Sequence, residues 1–315
     1  MKKLTIALLS GGISSERDVS INSGRQVLDA LDKEKYSVLE YDPKTDIGKL
    51  VSDADQIDAA LIILHGPYGE DGTVQGLLDL LGIPYQGAGV LGSAAAMNKL
   101  ASKQLYQQAG IPTPPYCVVK RGPMPELGGC IKHLDLPVVV KPVSCGSSIG
   151  ISIPDSEADL KQAVEAAFEF DNMVLLEKYI DGTEITGGVL GNTDPEPLPL
   201  IEIIPDDKHR FFDYTAKYTA GVTQEICPAR IDEQSTDIAQ SYAIKAHNAL
   251  FCRGYSRTDM MLKDGKFFVI ETNTIPGMTA TSLFPQAAQA AGYSFSLLLD
   301  RLIELSLEAK GLDNP

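Results

Sequence analysis

Apolar positions along the first 90 residues recur alternately as short continuous runs and as helical stripes. Residues 4–9, 36–41 and 59–64 read as buried strands, and 15–31 and 73–81 as amphipathic helices. A strand–helix–strand series of this kind predicts a doubly wound parallel sheet. Gly11-Gly12 and His65-Gly66 fall just after strands, where open sheets of this type place their ligands.

A second unit is expected over residues 91–180. It opens with a helix at 93–109, stopped by Gly110-Ile-Pro112. Strands at 116–119, 138–141, 151–153 and 174–180 follow, with helices at 126–134 and 156–168, so the unit is α+β. A third unit, 181–315, has strands at 184–190, 200–204, 223–227, 257–262 and 267–271, and helices at 233–252 and 295–309. A polar, aromatic stretch over 205–221 has no periodicity, and loops of that length usually cover a binding site. The whole reads as a three-domain α/β and α+β chain, 1–90, 91–180 and 181–315.

Length fits several domains, since 315 residues exceed what one ordinary hydrophobic core organises. Twenty-seven basic against 42 acidic residues give a net charge of −15, which argues against nucleic acid or an anionic membrane as partner. No apolar run approaches the roughly 20 residues of a membrane span. The N-terminal stretch, Met1-Lys-Lys followed by apolar residues, runs into Gly11-Gly12 without a cleavage pattern, so it reads as a first strand. Five cysteines, none in C-x-x-C spacing, fit a reducing cytoplasm rather than a disulfide framework.

Several motifs carry chemistry. Gly87-Ala-Gly-Val-Leu-Gly92 matches the dinucleotide pattern but lacks the acidic residue about 20 positions on, so a turn into the second unit is the stronger reading. Lys141 ends an apolar strand before a Gly/Ser loop, 143–150, whose N–H groups and hydroxyls can wrap phosphate. An ordinary turn beside an exposed lysine is the alternative. Asp259, Glu271 and Asn273 lie on two successive strands, and two carboxylates plus an amide oxygen suit a hard cation. The alternative is solvated polar residues at a hairpin edge. Ser15-x-x-Asp18 reads as a capping box, with Glu16 either in a favourable first turn or free to meet a substrate ammonium. His65 is a proton handler or a loop histidine. Cys145 is either a thiol activated by neighbouring N–H groups or an inert small residue.

Together these segments resemble the D-alanine–D-alanine ligase family of the ATP-grasp superfamily. The match runs through Gly11-Gly-x-Ser-x-Glu-Arg17, His65-Gly-x-x-Gly-Glu-Asp-Gly72, Met97-Asn-Lys99, Lys141-Pro142 with Gly146-Ser-Ser-x-Gly150, Glu177 with Glu184, Asp213-Tyr214 with Lys217-Tyr218, Arg257-x-Asp259, and Glu271-x-Asn-Thr-x-Pro-Gly-Met-Thr279. Departures are Cys145 in the loop, Ser256 in place of the usual glycine, and Thr258.

The resemblance implies the three-domain ATP-grasp architecture, with ATP clasped between the last two units. It implies ATP-dependent joining of two D-alanines through a D-alanyl phosphate, for peptidoglycan precursor synthesis, in a cytoplasmic homodimer. Lys99, Lys141, Ser147, Ser148 and Lys217 would hold phosphates. Glu177, Lys178, Ile180 and Glu184 would bind adenine and ribose, packed by Phe211 and Ile270. Asp259, Glu271 and Asn273 would hold two Mg²⁺ or Mn²⁺. Glu16 would bind the first D-alanine, and Arg257 and Gly277 would form the oxyanion site. His65, Ser282 and Leu283 would border the second D-alanine. Tyr218 would bond Glu16 and Ser147 and mark dipeptide over depsipeptide synthesis. A dinucleotide oxidoreductase and a non-catalytic nucleotide binder are the readings from other classes. Ligases making D-alanyl-D-lactate or D-alanyl-D-serine are the neighbouring ones.

Overall fold

The computed structural model describes residues 3–122, 127–146, 149–205 and 223–313. Strands β1 (Leu4–Ser10), β2 (Tyr36–Tyr41) and β3 (Ala59–Ile63) form a parallel sheet in the order β2-β1-β3. Side chains alternate across β1, so Ile6 and Leu8 enter one apolar layer while Ala7 and Leu9 enter the other. Burial on both faces explains the continuous apolar run. Helix α1 (Arg17–Ala30) covers the first face with Val27, and α2 (Ile47–Asp53) and α3 (Thr73–Leu80) cover the second with Leu50 and Leu78. The first layer also takes Leu298, Leu299 and Leu302 of the C-terminal helix, Phe295–Asp313, so the sheet at the N-terminus is closed by the far end of the chain.

The helix expected at 93–109 is two helices, α4 (Val90–Met97) and α5 (Lys99–Gln108). Asn98 breaks them with ψ at 103°, and its side-chain oxygen accepts the Ala101 N–H as the cap of α5. The Gly87–Gly92 run is a packing turn. A Cβ at Gly92 would lie 2.9 and 3.0 Å from the carbonyl oxygens of Leu250 and Phe251, so close backbone approach accounts for the glycine.

Strands β4 (Tyr116–Lys120), β5 (Val138–Pro142) and β6 (Met173–Lys178) form an antiparallel sheet in the order β4-β6-β5. Helices α6 (Gly128–Leu134) and α7 (Glu157–Ala167) pack on one face through Leu134, Leu160 and Val164. The other face carries Tyr116, Lys141 and Glu177. The strand expected at 151–153 is a single bridge, Val140 to Ser152.

The third sheet runs β10-β9-β7-β11-β12, from strands β7 (Thr183–Leu190), β9 (Ile201–Pro205), β10 (Thr223–Ile226), β11 (Tyr255–Lys263) and β12 (Lys266–Asn273), with the short β8 (Glu196–Pro197) beside β7. Helix α8 (Glu233–Ala249) packs Ala239, Ala243 and Ala246 on Ile185, Val189 and Met260. Helices α2 and α9 (Leu283–Ala290) were absent from the sequence reading, and α9 delivers Phe284 against Tyr255 with ring centroids 5.3 Å apart. The C-terminal helix is α10. No described helix is long and apolar enough to cross a membrane.

Candidate functional site

The hairpin of β11 and β12 sets the geometry. Asp259 faces Glu271 and Arg257 faces Asn273 across the antiparallel ladder, so all four side chains leave the same face. The other face carries Ser256 and Thr258, tied to His247 of α8 at 2.8 Å and to Thr272 at 2.9 Å. Tyr106 of α5 donates to Thr272 at 2.8 Å and anchors the helix bearing Lys99 to this sheet. A bulge follows Asp259, leaving Ile270 without an opposite partner. Such a bulge re-aims the side chain it carries.

Glu16, His65, Lys99, Arg257, Glu271, Asn273, Gly277, Ser282 and Leu283 line one cleft of about 500 Å³. It is formed where α1, the end of β3, α5, the hairpin and the turn before α9 meet. The expected capping box of Ser15 and Asp18 is not formed. Glu16 itself occupies the N-cap position with no side-chain cap, is buried, and lines the cleft. Gly66, at φ +72°, lets that carboxylate approach, since a Cβ there would lie 3.1 Å from Glu16 Oε2.

Charges in the cleft are compensated internally. Arg257 donates to Asp259 through Nε at 2.9 Å and through its terminal nitrogen at 2.8 Å, and both residues are buried. Thr186 adds a hydroxyl to Asp259 Oδ1 at 2.5 Å. Lys99 lies 3.9 Å from Glu271 and donates to the Cys145 carbonyl at 2.5 Å. His65 is buried, and burial holds its pKa below the ordinary value despite the Glu16 carboxylate, so it is neutral near pH 7. Its Nε2 has no hydrogen-bond partner among the described residues.

The donor set fits a hard divalent cation. Asp259, Glu271 and Asn273 offer carboxylate and amide oxygens only, from facing strands; Asp259 Oδ1 already accepts two hydrogen bonds, whereas Oδ2 accepts one and keeps a second lone pair. Asn273 Oδ1 meanwhile accepts the Ile275 N–H at 3.0 Å.

Other expected residues lie behind the cleft. Lys141 and Glu177 are buried against each other, and Glu177 also pairs with Lys103 of α5. Ile180 is buried, Glu184 and Ile270 are half-buried, and Lys178 pairs at the surface with Asp135 at 3.3 Å. Ser147, Ser148, Phe211, Lys217 and Tyr218 lie outside the described residues, as does most of the 205–221 stretch. The activated-thiol reading of Cys145 is corrected: burial pushes its pKa up, and Lys99 opposes this without reversing it.

Three further charged residues in or behind the cleft have no role in the sequence reading. Glu225 of β10 lines the cleft and accepts a hydrogen bond from Gln286; burial pushes its pKa up. Lys103 stands four residues after Lys99, a spacing that puts both on one helix face. Glu70 also lines the cleft, and it sat inside the His65–Gly72 motif. Burial, then the Glu16 carboxylate, push Glu70 up to about 8, although Gly66 N–H donates to it at 2.5 Å.

Comparison with known proteins agrees with this architecture. The family described as D-ala D-ala ligase C-terminus matches residues 105–304, and that described as D-ala D-ala ligase N-terminus matches 40–88. A D-alanine–D-alanine ligase of Syntrophobacter fumaroxidans is 62% identical over 98% of this chain and 99% of its own. One from Desulfotalea psychrophila is 50% identical over 98% and 96%. Among solved structures, the Bacillus anthracis D-alanine–D-alanine ligase complexed with ATP superposes with a TM-score of 0.86 at 36% identity, covering 99% of this chain and 100% of that one. The VanG D-Ala:D-Ser ligase of Enterococcus faecalis gives 0.83 at 32%, covering 97% and 100%.

Glu70 generates a stability prediction. The folded chain keeps its proton up to about pH 8, whereas an unfolded glutamate loses it near 4.5. Stability therefore falls as pH rises between those values, and levels off above them. Glu70→Gln should flatten this fall, read as melting temperature against pH from 5 to 8.5. An unchanged slope would place the proton elsewhere.

Proposed function

The chain belongs to the D-alanine–D-alanine ligase family, and on that premise we propose how its residues divide the reaction. It is an ATP-dependent ligase that joins two D-alanines through a D-alanyl phosphate, releasing ADP and phosphate, for peptidoglycan precursor synthesis. ATP and Mg²⁺ are its cofactors.

The observation that carries the proposed roles is the meeting of Glu16, His65, Lys99, Arg257, Glu271 and Asn273 in one cleft. A carboxylate is a poor electrophile. In the first step an oxygen of the first D-alanine's carboxylate bonds to the γ-phosphorus, and the bond from that phosphorus to the ADP oxygen breaks. Glu16 holds the ammonium of this D-alanine by charge. Lys99 and Lys141, with Lys217 and the Ser147–Ser148 hydroxyls, hold the phosphates, whose transfer depends on positioning and charge neutralisation. Asp259, Glu271 and Asn273 hold Mg²⁺ (or Mn²⁺), which when bound supplies further neutralisation of phosphate charge. Glu177, Lys178, Ile180 and Glu184 take the adenine and ribose, packed by Phe211 and Ile270.

In the second step the deprotonated amine of the second D-alanine attacks the acyl carbon. Ser282 and Leu283 border this substrate. The carbonyl oxygen becomes an oxyanion, stabilised by Arg257 and the Gly277 N–H; one such donor is worth about 3 kcal/mol. The carbon–oxygen bond to phosphate then breaks. Neutral His65 is suited to accept the proton that the amine sheds. Acyl phosphates hydrolyse in water, so residues 205–221 act as the lid, with Tyr218 joining Glu16 and Ser147. We also place the enzyme in the cytoplasm, where its five free thiols are at home, and as a homodimer, which light scattering tests.

Three outcomes follow. Incubation with ATP, Mg²⁺ and D-alanine should give D-alanyl-D-alanine with one ADP and one phosphate per dipeptide, and L-alanine should give none. D-serine or D-lactate offered as second substrate should be poorly used; a mixed product that outruns the dipeptide would move the chain to the D-Ala:D-Ser or depsipeptide ligases. Glu271→Gln should keep the fold and lose about a thousandfold in turnover, the loss of several kcal/mol expected when a metal-binding carboxylate is neutralised. Turnover within tenfold of wild type would remove Glu271 from the metal site.

A further inference from the structure

Helix α5 presents two lysines four residues apart to the interior, and each meets its own carboxylate. Lys99 faces Glu271; Lys103, fully buried at 0% exposure, pairs with Glu177. Glu177 is itself only 1% exposed, and its second oxygen pairs with Lys141, 4% exposed. The β4-β6-β5 register explains the convergence. Tyr116 and Val139 stand directly opposite Glu177 on either side, and Lys141 lies one step diagonally from it on the same face. The Tyr116 ring borders Lys103 Nζ at 5.8 Å from its centroid.

The charges do not balance. Among the described residues two buried lysines share one carboxylate; burial pushes the Lys103 pKa down and Glu177 opposes this, and with Lys103 protonated the cluster carries a surplus of one positive charge. Burying an uncompensated cation is costly, so a surplus of this kind needs an anion to offset it. Without Lys103, Glu177 and Lys141 would form a neutral pair, and an incoming phosphate would have to strip Lys141 from it.

We propose that Lys103 is a positioning residue for the nucleotide: its buried charge neutralises Glu177, so that the charge of Lys141 remains for the phosphates. The proposal rests on the reading that Lys141 holds nucleotide phosphates. Lys103 never touches the nucleotide. Its effect is on affinity, through Glu177, and any buried ion pair of merely structural value would affect folding alone.

The test is a double-mutant cycle read by calorimetric binding of ADP with Mg²⁺. Lys103→Met should weaken ADP at least tenfold, and Lys103→Arg should stay within threefold of wild type. In the Glu177→Gln background there is no carboxylate to neutralise, so adding Lys103→Met should change affinity by less than threefold. Equal affinity in wild type and Lys103→Met, or a tenfold effect of Lys103→Met in both backgrounds, would overturn the proposal. Should Lys103→Met not fold, the double variant, which keeps Lys141 alone of these three charged groups, must still match Glu177→Gln; a tenfold gap between those two overturns it. Lys141→Met separates the underlying reading. If it binds ADP as tightly as wild type, the phosphate role of Lys141 fails. If it weakens ADP while Lys103→Met does not, only the role of Lys103 fails.

Discussion

Two carboxylates, Asp259 and Glu271, face each other across a hairpin ladder, with Glu271 lining the cleft and Asp259 buried beside it. Like charges directly opposed on a sheet repel, and low local dielectric sharpens the repulsion. The rest of the site is arranged around this constraint. Arg257 clasps Asp259 in a two-point fork from two residues away on the same strand, and Lys99 reaches Glu271 from a separate helix. In the proposed division of roles these cations also meet the charges of the reaction. On that proposal the arginine that holds Asp259 also stabilises the oxyanion, and the lysine that reaches Glu271 also meets phosphate charge. Ligand binding is then an exchange of ionic partners rather than the creation of charge in a dry site, and an exchange costs less reorganisation.

Packing makes that wall rigid. The face of β11 and β12 away from the cleft is stitched by hydroxyls of Thr258, Thr272 and Tyr106 and by the His247–Ser256 pair. Burial holds the His247 pKa down to about 4, so the pair is a neutral hydrogen bond at working pH. Helix α5 is thereby fixed to the β11–β12 hairpin on one side, while Lys103 ties it to the central sheet on the other. The two halves that would enclose a nucleotide share one helix as their common reference.

Much of this was legible in sequence because it is local. Period-two burial on β1, the strand–helix alternation, and the i, i+2 spacing of Glu271 and Asn273 each follow from a few neighbouring residues. What was missed depends on partners far along the chain. Asn98 breaks a continuous helical pattern because its side chain caps the next helix. Ile270 owes its position to a bulge that no composition marks. Glu16, not Ser15, takes the N-cap position of α1 and lines a cleft whose other walls come from residues 65–70 and 257–283. The role of Lys103 was hidden for the same reason, since nothing near it in sequence names Glu177 as its partner. Residues 147–148 and 206–222, which hold the expected phosphate hydroxyls and lid lysine, lie outside the described structure and keep their sequence-based roles as proposals.

The central claim is that this wall of cations activates a carboxylate by phosphorylation before the peptide bond forms. The most direct measurement uses D-alanine labelled with ¹⁸O in both carboxylate oxygens, with the released phosphate analysed by mass. If the carboxylate oxygen bonds to phosphorus and leaves with it, each phosphate carries one ¹⁸O, and the dipeptide bond retains the other. Phosphate free of label, with dipeptide still formed, would contradict the account.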